Sequence, residues 1–152
     1  MAVTAEMVKE LREKTGAGIM NCRRALDKAE GDMKKAEEIL LAEGIEKADK
    51  KSDRETGAGS VFSYIHGPGK VGVLVEIACE TDFVAKTEAF QSLGREVGMQ
   101  ISAMNPADVA ELLAQVYIRD SKLTIQELVK SKIAGLGENI VIRRFIRYEL
   151  GA

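Results

Sequence analysis

The residue types that carry bond chemistry are scarce in this chain and widely spaced. There is one histidine, His66, and there are two cysteines, Cys22 and Cys79. A cysteine beside a histidine would make a thiolate nucleophile, provided the two side chains meet. His66-Gly67-Pro68-Gly69-Lys70 is turn chemistry between two β-rich segments, SVFSYIH and KVGVLVEIAC. In a hairpin closed by that turn, His66 lies opposite Val71, and Cys79 sits eight residues up the strand. At ~3.3 Å per residue the separation is roughly 26 Å, which excludes a dyad within the hairpin. Cys22 lies outside it and is not tested this way. The same turn is not a phosphate loop, because it lacks the GxxxxGK spacing followed by Ser or Thr, and no helix follows. The cysteines form no CxxC pair, which excludes a local zinc knuckle and gives no disulfide framework. Both lie inside apolar patterns and read as buried, reduced thiols. The carboxylates are plentiful but fall mostly at exposed helical positions. No constellation argues for an enzyme, and none implies a cofactor.

Two stretches carry the chemistry of contact instead. In LREKTGAGIM, residues 11–20, the glycines make a tight interhelical turn. Ile19 and Met20 are neighbours at the start of the next helix and project about 100° apart. Either one is core and the other covers an edge, or together they form an apolar docking tip, for which a flexible methionine is well suited. The second stretch is ETDFVAK, residues 80–86, where a strand hands over to a helix. Thr81 or Asp82 can cap that helix. Phe83 then occupies its first turn, either packed on the hairpin or projecting as a rigid aromatic anchor.

The elements that must position these stretches divide the chain. Residues 1–50 read as three short helices. Thr4 is an N-cap flanked by Val3 and Val8 at staple positions, and Asp32 caps the third helix. Residues 51–59 read as a charged, glycine-ended linker whose preceding residues can extend the third helix. Residues 60–152 read as a core of a hairpin, helices and a closing strand. One helix is predicted over 82–104, with Phe90, Leu93, Val97, Ile101 and Met104 inward and Gly94 and Gly98 admitting a neighbouring backbone. Asn105 and Pro106 are predicted to open the next helix. Thr124 to Glu127 forms a capping box for a helix predicted to stop at Gly135 and Gly137. NIVIRRFIRYEL, residues 139–150, alternates, placing Ile140, Ile142, Ile146 and Tyr148 on one face. It can pair with the hairpin. The fold class is α+β, with a small antiparallel three-stranded sheet packed with helices.

At 152 residues, 45% apolar and 30% charged, the composition is that of a soluble globular protein. The net charge is −2, with both signs interspersed. That balance favours protein partners over nucleic acid, which usually meets a strongly basic face. There is no apolar run of membrane-spanning length and no signal-like N-terminus, so a cytoplasmic setting without membrane contact is the expectation.

LREKTGAGIMNCRRAL, ETDFVAK and GENIVIRRFIRYEL together resemble the bacterial translation elongation factor Ts family, in order and along nearly the whole chain. Ala78, Asn21, Arg23 and Arg24 depart mildly from the family pattern. The length matches a short form with one hairpin and one closing strand. The resemblance implies a guanine-nucleotide exchange factor that binds elongation factor Tu carrying GDP and promotes loss of Mg²⁺ and GDP, with no bond chemistry of its own. It implies that the N-terminal helices form a ubiquitin-associated-like docking module, with Arg12, Ile19 and Met20 in its contact region. It implies that Thr81, Asp82, Phe83 and Val84 form the contact motif, with Phe83 the wedge near the partner's Mg²⁺ site. A homodimer is also implied, with the third strand or the helix bearing Gly94 and Gly98 as the self-contact. Two other readings stay open. One is a binding module that stabilises the partner without opening its nucleotide site. The other is an RNA-binding protein using Arg143, Arg144 and Arg147.

Overall fold

The computed structural model describes residues 2–152. Thr4 opens α1 (Ala5–Thr15) by accepting the Met7 N–H on its hydroxyl, and Gly16 ends it in the left-handed region at φ 72°. Helix α2 (Ile19–Lys28) follows, and Asp32 caps α3 (Met33–Asp49) by accepting from Lys35 N–H. Leu11, Cys22, Ala25, Leu26, Ala36 and Leu40 form the buried cluster that these three helices share. So few side chains make a thin core.

A larger cluster lies between one face of a sheet and the helices over it. The sheet is antiparallel with strand order β1 (Ala58–His66), β2 (Val71–Cys79), β3 (Ile140–Glu149). The predicted α+β architecture is therefore present. The hairpin register pairs His66 with Val71 and Ala58 with Cys79, so the one histidine and Cys79 sit at opposite ends of the ribbon. Strand β1 starts at Ala58, inside the predicted linker. Val73, Val75, Ile77 and Cys79 point into the core.

The third strand departs from its simple alternation. Ile142 pairs with Ile77 but Arg144 pairs with Glu76, leaving Arg143 as an extra residue in a bulge. Ile140 and Ile142 face the core before the bulge. After it, Phe145 and Arg147 take the core side, while Ile146 and Tyr148 turn outward. Arg147 then reaches the end of the long helix, donating to the Ser102 carbonyl at 3.1 and 3.2 Å.

The single helix predicted over 82–104 is two: α4 (Asp82–Ala85) and α5 (Glu88–Met104). Thr87 makes the break. Its hydroxyl accepts the Phe90 N–H and donates to the Val84 carbonyl, so it caps the second helix while closing the first. Phe90, Leu93, Val97 and Ile101 are fully buried, but Met104 is half exposed at the helix end. Asn105 does not open a helix; it ends α5 in the left-handed region (φ 46°), and Asp108 caps α6 (Val109–Ala114). Gly94 and Gly98 admit aromatic side chains rather than a backbone. A Cβ at Gly94 would overlap the Phe62 ring, and one at Gly98 would lie 2.8 Å from the Tyr64 Cβ. That face of α5 is filled by β1 and is not free for a second copy of the chain. The capping box of α7 (Ile125–Leu136) is complete, and Gly137 ends it, whereas Gly135 lies within the helix.

Two contacts tie the N-terminal helices to the rest. Helix α3 packs on α7, where Ala48 joins the larger cluster and Lys130 pairs with Asp49 at 2.9 Å. Residues after α3 are strapped to the start and middle of β3. The buried Asn139 side chain donates to the carbonyls of Arg54 (2.9 Å) and Ser52 (3.4 Å), and Arg143 donates to Thr56.

Candidate functional site

The ETDFVAK stretch forms a short turn of helix at the end of β2. Thr81 has extended backbone and caps α4, its hydroxyl accepting the Val84 N–H at 3.3 Å. Of the two capping candidates, Thr81 holds the position, and Asp82 is left exposed in the first turn. Val84 and Ala85 face inward and are buried; Val84 is 5% exposed. Phe83 points the other way and is 82% exposed. The turn thus separates its side chains into an anchor, Val84, and a projecting ring, Phe83. A free aromatic of this size on a fixed backbone has little rotamer entropy to lose on burial, which suits it to anchor a partner.

The support beneath this turn comes from a distant part of the sequence. Cys79 pairs with Ile140, which brings the residues just before β3 alongside those just after β2. The Glu138 carboxylate accepts from the Glu80 N–H (3.1 Å), the Thr81 N–H (3.0 Å) and the Thr81 hydroxyl (2.7 Å). The Glu80 carboxylate in turn accepts from the Asn139 N–H at 2.8 Å and lies 3.6 Å from the Arg54 guanidinium. Cys79 closes the base, its thiol donating to the Thr81 carbonyl at 3.2 Å. Burial pushes this thiol above its ordinary pKa, and Glu138 nearby adds to the rise. Both effects disfavour the thiolate. Glu138 and Asn139 were not singled out by residue type or spacing. The available signal was the strand pairing, which predicts that residues 137–139 return beside Cys79.

At the other candidate, Ile19 and Met20 begin α2 directly after the Gly16-Ala17-Gly18 turn. Both are exposed, Ile19 at 54% and Met20 at 75%. Neither takes a place in the small core, which is filled by Cys22, Ala25 and Leu26 from the same helix. Gly18 at the N-cap offers no side chain to hold the helix start. Arg12 lies on α1, exposed and without an ion pair among the described residues. Among the described residues there is no group of three or more His, Cys, Asp or Glu side chains placed to hold a metal ion, and no helix is long and apolar enough to cross a membrane.

The fold and these two sites define an α+β protein that presents apolar side chains from a small helical module and from a braced turn at a sheet end. A family model described as elongation factor TS matches residues 80–152, a span containing both the turn and its brace. Elongation factor Ts of Carboxydothermus hydrogenoformans is 44% identical over an alignment of 194, covering 98% of this chain and 89% of the relative. That of Nitratidesulfovibrio vulgaris is 44% identical over 197, covering 100% and 98%. That of Synechocystis is 45% identical over 195, covering 98% and 89%. The chain belongs to the elongation factor Ts family, whose members serve translation elongation. Each alignment is longer than the 152 residues of this chain, so the relatives carry positions without a counterpart here.

Proposed function

We propose that the chain is a guanine-nucleotide exchange factor that binds elongation factor Tu carrying GDP and drives out Mg²⁺ and GDP so that GTP can bind. The observation that carries this reading is the exposed Phe83 ring on a turn fixed by Glu138 and anchored by Val84. Mg²⁺ needs near-ideal octahedral geometry, so a small displacement of the groups around it releases the ion. Inserting Phe83 beside that site supplies the displacement, and burial of the ring supplies the energy. Asp82, not used as the cap, is free to contact the partner. Thr81 and Val84 then shape the motif from within. No bond is made or broken, and no cofactor is needed.

The N-terminal module, residues 1–50, docks on the partner through Arg12, Ile19 and Met20. A buried cluster of its own supports treating it as a unit, although Ala48 reaches the larger cluster; residues 51–57 join it to a core that begins with β1 at Ala58. Three helices around a thin core fit a ubiquitin-associated-like arrangement. Linkage is reciprocal: if this chain weakens GDP binding, GDP weakens this chain's binding by the same factor, and GTP completes the cycle by displacing it. The work takes place in the cytoplasm, with neither nucleic acid nor membrane as a partner.

The homodimer reading uses the outer face of the sheet. Val61, Ile65, Leu74, Ile146 and Tyr148 are exposed there, and its one facing ion pair, Glu76–Arg144 at 3.0 Å, is already neutral within the chain. Light scattering on Leu74→Asp distinguishes a dimer, which the change dissociates, from a monomer, which it leaves alone.

Exchange is tested by the release rate of fluorescent GDP from elongation factor Tu. Acceleration by the chain is expected. Tight binding with an unchanged release rate would replace exchange by a stabilising role.

A further inference from the structure

Four acceptances of hydrogen bonds lock the entry to α4, and three of them end on one carboxylate. Glu138 accepts from both consecutive N–H groups, Glu80 and Thr81, on Oε1, and from the Thr81 hydroxyl on Oε2. The fourth is the Thr81 hydroxyl accepting the Val84 N–H. A hydroxyl has one proton, so donating it to Glu138 fixes the rotor and leaves a lone pair aimed at Val84. The charge on Glu138 strengthens all three bonds relative to neutral acceptors. Glu138 is itself held in place: the next residue, Asn139, is 4% exposed, donates its N–H to the Glu80 carboxylate, and pins the Arg54 and Ser52 carbonyls with its side chain. The brace is reciprocal, each strand end supplying a glutamate that accepts from the other's backbone. Phe83 sits two residues beyond Thr81 and is 82% exposed, so its direction is set by the backbone of the turn.

We propose that Glu138 is a positioning residue that sets the projection of Phe83 through Thr81. The proposal rests on the exchange reading for its functional consequence and on backbone geometry for its structural one. A carboxylate is required because both oxygens must accept. An amide at this position keeps one acceptor for the two N–H groups but presents an NH₂ to the Thr81 hydroxyl and reverses that bond.

The test is a double-mutant cycle of Glu138→Ala and Phe83→Ala on the maximal rate of GDP release from elongation factor Tu, with hydrogen exchange of the Glu80, Thr81 and Val84 amides measured in the free chain. Glu138→Ala is expected to lower the maximal rate about tenfold, the loss of charge-assisted bonds, while affinity for elongation factor Tu changes by about threefold or less. In the Phe83→Ala background it is expected to lower the rate no further, and the three amides are expected to lose protection in either background. An unchanged rate overturns the proposal, as does an equal loss with and without the Phe83 ring. If the wild-type chain does not accelerate release, the exchange reading fails, and amide protection alone decides the positioning: loss upholds it, retention overturns it. Should Glu138→Ala not fold, Glu138→Gln replaces it. A fall of about twofold to threefold with weakened protection at Val84 upholds the proposal, and wild-type behaviour overturns it.

Discussion

The tip of the N-terminal module and the turn at Phe83 both hold apolar side chains out to solvent, yet they are built differently. Met20 and Ile19 follow a glycine-rich turn, start a helix with no side-chain cap, and stand on a core of only a few side chains. Phe83 stands on a capped turn braced by two glutamates and anchored by Val84 in the larger core. An adaptable methionine on a light support suits a docking surface, which must fit its partner but displace nothing. A rigid aromatic on a braced support suits a wedge, which must push without yielding. The difference in support predicts a difference in kinetics: one site sets affinity and the other sets rate.

The sharpest way to break that division is Phe83→Ala. It is expected to cut the maximal rate of GDP release by about tenfold or more, with little change in melting temperature, because the ring is outside the core. Next in size is Gly94→Ala. Its Cβ would overlap the Phe62 ring beneath the sheet, and overpacking costs about 1–3 kcal/mol in chemical denaturation. That loss belongs to the core that carries Phe83 and should leave the unfolding of the N-terminal helices unchanged. Met20→Ala is expected to weaken binding about tenfold, roughly 1–2 kcal/mol, while the rate at saturation stays at the wild-type value. A fall in that rate would erase the distinction between the sites.

The smallest effect concerns acid. Glu43 on α3 accepts from Arg24 at 3.0 Å and Lys28 at 3.3 Å on α2. Burial alone would raise its pKa, but these hydrogen bonds outweigh it and hold the carboxyl below its ordinary value. A carboxyl lowered in the folded state stabilises above its unfolded pKa, and that contribution fades as pH falls through the folded value. Glu43→Gln should therefore cost about 0.5 kcal/mol at neutral pH and nothing in strong acid, read from melting curves of the module's helices.

Much of this was legible in the residues. The caps at Thr4, Asp32 and Thr124, the hairpin turn after His66 and the α+β division followed from local chemistry. What escaped was non-local or offset by one residue. The β3 bulge falls on Arg143, beside a second arginine, so nothing in the period-two pattern marked where the faces exchange. Thr87 broke a helix whose apolar spacing continued across it, because a hydroxyl cap competes with helix continuation there. Asn105 was expected to open a helix and instead ends one, because asparagine also tolerates the left-handed conformation of a helix C-terminus. The projection of Phe83 was one of two open alternatives; its outward direction follows from Val84 taking the inward side of the same short turn. The Glu138 brace depends on strand pairing across more than fifty residues and has no local signature.

The most direct measurement is the release of fluorescent GDP from elongation factor Tu at saturating concentrations of the wild-type chain and of Phe83→Ala. Strong acceleration by the wild type and its collapse in the variant are expected, with binding of the variant largely kept. Full acceleration by Phe83→Ala, or none by a wild-type chain that binds, would contradict it.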